Sequence, residues 1–291
     1  MKTNQDSNFI TINYHITEKC NYSCTYCYAH WNENTQELFH NLDSLRAMFI
    51  SVYEHFKGLG YESVRLNIAG GEPLLCKTLP KVLTIAASIG YDISLITNGS
   101  LISDTFISES VQHLSTIGFS IDSLYSKRNN RLGRCTKNGY TLTAQRILKN
   151  VAAIRKQNHA ISIKINTVVS NENYDEVLKD FIEKVNADKW KIFQAMPFEQ
   201  VEYCSKKSFD SFIKCNQSKT ISIYLEDNID MSDSYLMIDP YGRFFQNSDM
   251  LNHKNYHYSQ PIHIVGTDKA LSKIKFNIEK FRQRYIRKSK L

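Results

Sequence analysis

Between Phe9 and Ile16 apolar and polar positions alternate, with Ile10, Ile12, Tyr14 and Ile16 on one side, which predicts a strand. The period then changes. Leu45, Met48, Phe49, Val52 and Phe56 recur at spacings of three and four, predicting a helix that Asp43 can cap and that Gly58 and Gly60 end. Val64 to Ile68 reads as the next strand, closing on Ala69-Gly70-Gly71-Glu72-Pro73. A helix over about Thr78–Ser88 leads to a strand over Ile93–Thr97, which ends in Asn98-Gly99. Phe106–Leu114 is helical in pattern and Ile117–Ile121 is a strand; Leu142–Gln157 is helical and Ile161–Val169 a strand. Val177, Phe181 and Val185 repeat every four residues on another helix, and Trp190–Ala195 is a sixth strand.

Six strands alternating with helices imply parallel βα units, and six units make a partial barrel where eight would close one. Ligands of such a barrel gather at the C-terminal ends of its strands. After Ala195 the alternation stops. Tyr235–Asp239 and Arg243–Gln246 flank Pro240-Tyr241-Gly242 as a hairpin, and a basic helical stretch runs from Thr267. The expected division is a polar N-terminus over 1–8, a barrel over 9–200, and an extension over 201–291 packed on it as a lid within one domain.

Composition changes this picture little. The chain has 291 residues, 42% hydrophobic and 22% charged, which suits one ordered globular domain. No apolar run is long enough to span a bilayer, and the N-terminus carries no apolar signal segment, so a cytoplasmic protein is expected. The charge of +7 favours an anionic partner. Much of it lies in Lys280, Arg282, Arg284, Arg287, Lys288 and Lys290.

The cysteines carry the chemistry. Of seven, Cys20, Cys24 and Cys27 form one C-x3-C-x2-C loop after the first strand. Three thiolates suit an iron–sulfur cluster and leave one corner of a [4Fe–4S] cube open for a small molecule. A zinc knuckle is the alternative. It needs a fourth ligand, and His30 is the nearby candidate. Gly70 and Gly71 allow a close backbone approach to a ligand, and Glu72 supplies an acceptor. Asn98, Ser120 and Asn166 can hydrogen-bond a ligand's hydroxyls or ring edges, and Arg134 can fork onto a carboxylate. Arg65, Lys164, Lys189 and Lys191 come from strands two, five and six and can converge on a triphosphate. Lys164 lies between Ile163 and Ile165, where an unpaired charge is costly.

The cysteine spacing with Tyr26 before the last thiol resembles the signature of radical S-adenosylmethionine (SAM) enzymes. Within them the chain resembles the viperin family, its prokaryotic members in particular. Asn13-Tyr14-His15, Asn67 to Pro73, Thr97 to Ile102, Ile121-Asp122-Ser123 and Leu132-Gly133-Arg134 each have a counterpart there. The more specific matches are Lys164-Ile165-Asn166, Trp190 to Gln194 and Asp233 to Leu236.

The resemblance implies a partial (β/α)6 TIM-like barrel and two cofactors, a [4Fe–4S] cluster and SAM. It implies an enzyme that converts a ribonucleoside triphosphate to its 3′-deoxy-3′,4′-didehydro form, a terminator of viral RNA chains. By position, Cys20, Cys24 and Cys27 hold the cluster. Gly71, Glu72, Asn98, Ser120 and Arg134 lie at SAM, with Asn166 between the two ligands. Asn13, Arg65, Lys164, Lys189 and Lys191 lie at the nucleotide, and Tyr235 matches a tyrosine that passes the last electron or proton. The implied partners are the nucleotide, with CTP ahead of UTP and GTP, and an electron donor of flavodoxin or ferredoxin type. No membrane, no stable nucleic-acid binding and a monomer are expected.

Departures from animal viperins are a Lys/Arg exchange at Arg65 and Lys189, Ala69 in place of serine, and no Gly-rich, Trp-bearing end or amphipathic N-terminal helix. Two rivals remain: a radical SAM modifier of peptides, and a zinc-knuckle nucleic-acid binder.

Overall fold

The computed structural model describes residues 8–29, 36–197, 203–247 and 256–286. The polar N-terminal residues 1–7, His30, and the basic residues Arg287, Lys288 and Lys290 lie outside them. Seven strands follow one another in parallel: β1 (Phe9–His15), β2 (Ser63–Ala69), β3 (Asp92–Thr97), β4 (Thr116–Ser120), β5 (Ser162–Val169), β6 (Lys189–Gln194) and β7 (Ile223–Glu226). The crossovers are α1 (Leu42–Gly58), α2 (Leu79–Ile89), α3 (Asp104–Ser110), α4 (Ser126–Arg131), α5 (Ala144–Gln157), α6 (Lys179–Val185) and α7 (Lys206–Cys215). Alternating strands and helices thus give the partial barrel.

The C-terminal third extends the same sheet. β8 (Leu236–Ile238) pairs parallel with β1, and β9 (Arg243–Gln246) and β10 (His257–Pro261) follow antiparallel. The ten-stranded order is β10-β9-β8-β1-β2-β3-β4-β5-β6-β7. The six-strand expectation therefore stops short by β7 on one flank; on the other, the expected hairpin, as β8 and β9, joins the same sheet together with β10. The β8–β9 hairpin turns at Pro240-Tyr241-Gly242, where Gly242 has φ 78° and supplies the left-handed turn residue.

Local details correct the sequence reading. Asn41, not Asp43, caps α1: its Oδ1 accepts from Ser44 N at 3.0 Å, and Asp43 sits in the first turn. Val177 precedes α6 and is exposed.

Both strand faces are buried, in different company. Ile10, Ile12 and Tyr14 join Phe49 of α1, Leu66, Leu95, Ile117, Ile163 and Trp190 in one apolar core. The alternate residues, Thr11, Asn13 and His15 on β1 and their neighbours across the sheet, line a cavity inside the barrel. Register sets these side by side: Asn13 opposite Asn67, Asn67 opposite Ser94, Asn166 opposite Lys191, and Lys164 opposite Lys189. No helix among the described residues is long and apolar enough to cross a membrane.

Candidate active site

The cavity has a volume of about 730 Å³ and is lined by residues from every strand β1–β6. One end is the cysteine loop. Cys20, Cys24 and Cys27 all border the cavity as free thiols. Two glycines back the loop. A Cβ on Gly71 would lie 2.2 Å from the Lys19 carbonyl oxygen, and one on Gly133 (φ 69°) would lie 2.0 Å from that of Ser23. Gly71 N donates to Thr17 O at 2.6 Å, and Ser23 N to Gly133 O at 3.1 Å. Gly71 thus admits the loop's own backbone.

Polar side chains clasp the loop. Asn98 Nδ2 donates to Asn21 Oδ1 at 2.9 Å, and Asn21 Nδ2 to Ser100 Oγ at 2.9 Å. Glu72 does not border the cavity; its carboxylate, fully buried, accepts from Thr97 Oγ1 at 2.6 Å, Asn98 N at 2.8 Å and Leu74 N at 3.1 Å. It ties the end of β2 to the end of β3. Arg134 Nε pairs with Asp122 at 3.0 Å, Nη2 donates to Ser120 O at 2.5 Å, and Nη1 lies 3.6 Å from Cys24 Sγ. The Tyr26 hydroxyl donates to the same Asp122. Arg134 therefore already has a carboxylate partner beside the thiols, one that the sequence reading missed.

The donor set fits an iron–sulfur cube. Burial pushes all three thiols up, Cys27 to about 11, so a metal displaces protons on binding. Among the described residues no three His, Cys, Asp or Glu side chains converge as a single-ion site requires. A cube, which takes each thiolate at a separate corner, has no such requirement.

The other end is cationic. Arg65, Lys164, Lys189 and Lys191 all border the cavity, but their circumstances differ. Arg65 is held by Asp92, with Nη2 at 2.6 Å and Nε at 2.7 Å. Lys189 Nζ sits 3.9 Å above the Tyr224 ring. Lys191 Nζ lies 2.5 Å from the Glu226 carboxylate and donates to the Tyr235 hydroxyl at 2.8 Å. Lys164 has no hydrogen bond or ion pair among the described residues. Burial, then Lys191 and Lys189, push its ammonium well below the usual lysine range.

The predicted residues fall into place around this one cavity, Glu72 excepted. Asn13 accepts from Asn67 Nδ2 at 2.9 Å, and the Asn166 side-chain oxygen is buried without a partner. Tyr235 donates to Glu226 and lies 3.6 Å beneath Arg284 of the C-terminal helix Ile278–Ile286. Glu226 and Arg284 were not foreseen. The visible signal was an acid ending the alternating run Ile221-Ser222-Ile223-Tyr224-Leu225-Glu226.

Residues 14–185 match the Radical SAM superfamily. The chain is 41% identical over 288 residues to an S-adenosylmethionine-dependent nucleotide dehydratase of Psychrobacter lutiphocae, covering 96% of each. A protein of the same description from a Fibrobacter species is 39% identical, over 95% of this chain and 88% of its own. Among solved structures, native anSMEcpe with bound AdoMet and the Kp18Cys peptide superposes with a TM-score of 0.67 at 16% identity, over 95% of this chain and 84% of that one, and so shares the fold. A partial barrel with a three-cysteine loop at one mouth is thus the catalytic scaffold of a radical SAM enzyme, a class that uses a [4Fe–4S] cluster and SAM. Within that superfamily the chain belongs to the S-adenosylmethionine-dependent nucleotide dehydratases, the prokaryotic viperins.

Proposed function

We propose that this enzyme dehydrates a ribonucleoside triphosphate, CTP before UTP and GTP, to the 3′-deoxy-3′,4′-didehydro nucleotide, and that the product ends phage RNA chains. A [4Fe–4S] cluster held by Cys20, Cys24 and Cys27 would, with SAM and one electron, supply an adenosyl radical able to take the ribose H4′. The 3′-hydroxyl would then leave with one proton as water, and a second electron would complete the product, so that a flavodoxin- or ferredoxin-type donor gives two electrons per turnover. The chain's own part is to hold and exclude. Gly71, Asn98, Ser120 and Arg134 border SAM, with Asn166 at the junction. Glu72 acts behind them by fixing the β2 and β3 ends. Arg65, Lys164, Lys189 and Lys191 take the triphosphate, Asn13 the sugar side, and Tyr235 faces the reacting ribose. The enzyme works as a monomer in the cytoplasm, with residues 201–291 completing the barrel's domain.

The observation that supports this reading is Lys164, a buried, cavity-facing lysine whose ammonium forms no ion pair among the described residues and lies beside the cations Lys189 and Lys191. An anion of the size of a triphosphate is the complement such a wall lacks. The test is a panel of CTP, UTP, GTP and ATP with reduced enzyme and SAM, following 5′-deoxyadenosine. SAM cleavage that rises with CTP above the others is expected. Cleavage indifferent to every nucleotide would overturn the reading, and activity with ATP alone would overturn the order.

A further inference from the structure

Glu226 does not border the cavity, yet it touches both groups that do so at one point of the wall. Its carboxylate is 1% exposed. It lies 2.5 Å from Lys191 Nζ and accepts the Tyr235 hydroxyl proton, while Lys191 donates to the same hydroxyl at 2.8 Å. Behind it stands Arg284, 4% exposed, with Nη1 3.9 Å away. The order from cavity to interior is ammonium and phenol, then carboxylate, then guanidinium. The other groups facing Lys191 among the described residues are cationic or neutral: Arg284 on the C-terminal helix, Lys189 two residues before it on β6, Lys164 and Asn166 on neighbouring β5, Tyr235 before β8, and Phe193 two residues along β6. Asp92, the other carboxylate on the cationic side, is held by Arg65.

We infer that Glu226 is a positioning residue of the nucleotide site, whose buried charge keeps Lys191 an ammonium beside Lys164 and Lys189 and fixes the Tyr235 hydroxyl against it. The inference rests on the triphosphate reading of this wall. Two ammoniums on adjacent strands repel, and burial disfavours each, so a wall of lysines without a counter-charge discharges. Lys191 illustrates the balance: burial lowers it to about 8, with Glu226 opposing the fall. Arg284, reaching Glu226 from the C-terminal helix, keeps the carboxylate ionised. Burial pushes Glu226 up, Lys191 and Arg284 outweigh it, and the group ends below the ordinary range.

The distinguishing measurement is the pH profile of CTP affinity by calorimetry from pH 6 to 9, with wild type and Glu226→Gln. Glutamine keeps the shape and removes the charge. Lys191 then discharges at lower pH, and CTP must recharge it on binding. The expected result is near-parental affinity at pH 6 and a loss of about tenfold or more at pH 8, one proton costing up to about tenfold per pH unit. Lost packing alone would weaken binding equally at all pH. Superimposable profiles, or a uniform loss, would overturn the inference while leaving the nucleotide reading intact. Failure of wild type to bind any nucleoside triphosphate would instead sink that reading. Should the glutamine variant not fold, Glu226→Asp decides. The charge withdrawn by one methylene should shift the profile part of the way, and an unmoved profile counts against Glu226.

Discussion

The two ends of the cavity are built on opposite plans. At the thiol end almost every polar side chain is already spent: Asn98 on Asn21 and Ser100, Glu72 on three donors of the β2–β3 junction, Arg134 on Asp122. At the cationic end Lys164 is spent on nothing among the described residues, and Lys191 shares one acid with Arg284. The first end is held in shape by its own bonds. The second holds basic side chains close together with few acids beside them, and on the proposed reading draws its ligand by electrostatics. Preorganisation and attraction are thus divided between regions, which suits two ligands that must meet in one fixed geometry.

Breaking the thiol end should have the largest effect. Cys24→Ala is expected to abolish cluster binding and turnover while leaving far-ultraviolet circular dichroism unchanged, because the residue sits on a loop outside the regular elements. Visible absorbance after anaerobic reconstitution checks it; a brown, active variant would contradict it.

Next is the cationic end. Lys164→Ala should weaken nucleotide binding by roughly 2–5 kcal/mol, by analogy with truncating one partner of a buried charge pair, and leave SAM affinity and cluster content in place. Calorimetry with each ligand separately tests this selectivity. Parental nucleotide affinity would reassign Lys164 to structure.

Gly133→Ala sharpens the contrast from the backbone side. The left-handed φ and the 2.0 Å approach to Ser23 O leave no room for a methyl, so thermal stability should fall by about 2 kcal/mol or more. Cluster loading should fall with it, while apo-protein nucleotide binding should hold better than SAM binding. An unchanged melting temperature would show that the loop yields freely.

The smallest effect is in pH. Burial, with Lys191 and Lys189 beside it, holds Lys164 below its ordinary range, and a phosphate favours its charged form. Binding therefore takes up a proton, and affinity declines as pH rises through the depressed range, by at most about tenfold per unit for one proton. Calorimetry in buffers of differing ionisation heat reads this uptake, and Lys164→Ala should reduce it.

The contrast also governs what could be read from sequence. Positions facing the helices repeat with a clean period, so β1–β6 and most crossovers are legible from residues such as Ile10, Ile12 and Tyr14. The cavity-facing residues are legible as chemistry: cysteines, lysines and asparagines in places where a core would not put them. Their partners are not. Asp122 lies 12 residues from Arg134, and Glu226 lies 35 from Lys191. The β6–β7 register brings Glu226 to Lys191, and the turn after α4 returns Arg134 to Asp122. β7 escaped notice because its strand is four residues long and follows a polar stretch. Likewise, the tie that Glu72 makes between the β2 and β3 ends is not legible in the sequence.

The strand order carries a consequence for synthesis. β1 is hydrogen-bonded to β2 on one side and to β8 on the other, with Ile12 opposite Leu236. During synthesis β1 must therefore wait for more than two hundred residues before this second edge is covered. A pairing so distant closes slowly and leaves an open, sticky edge meanwhile. The Lys191 wall likewise waits for Glu226, Tyr235 and Arg284, whereas the residues that shape the cysteine loop, through Arg134, are made well before.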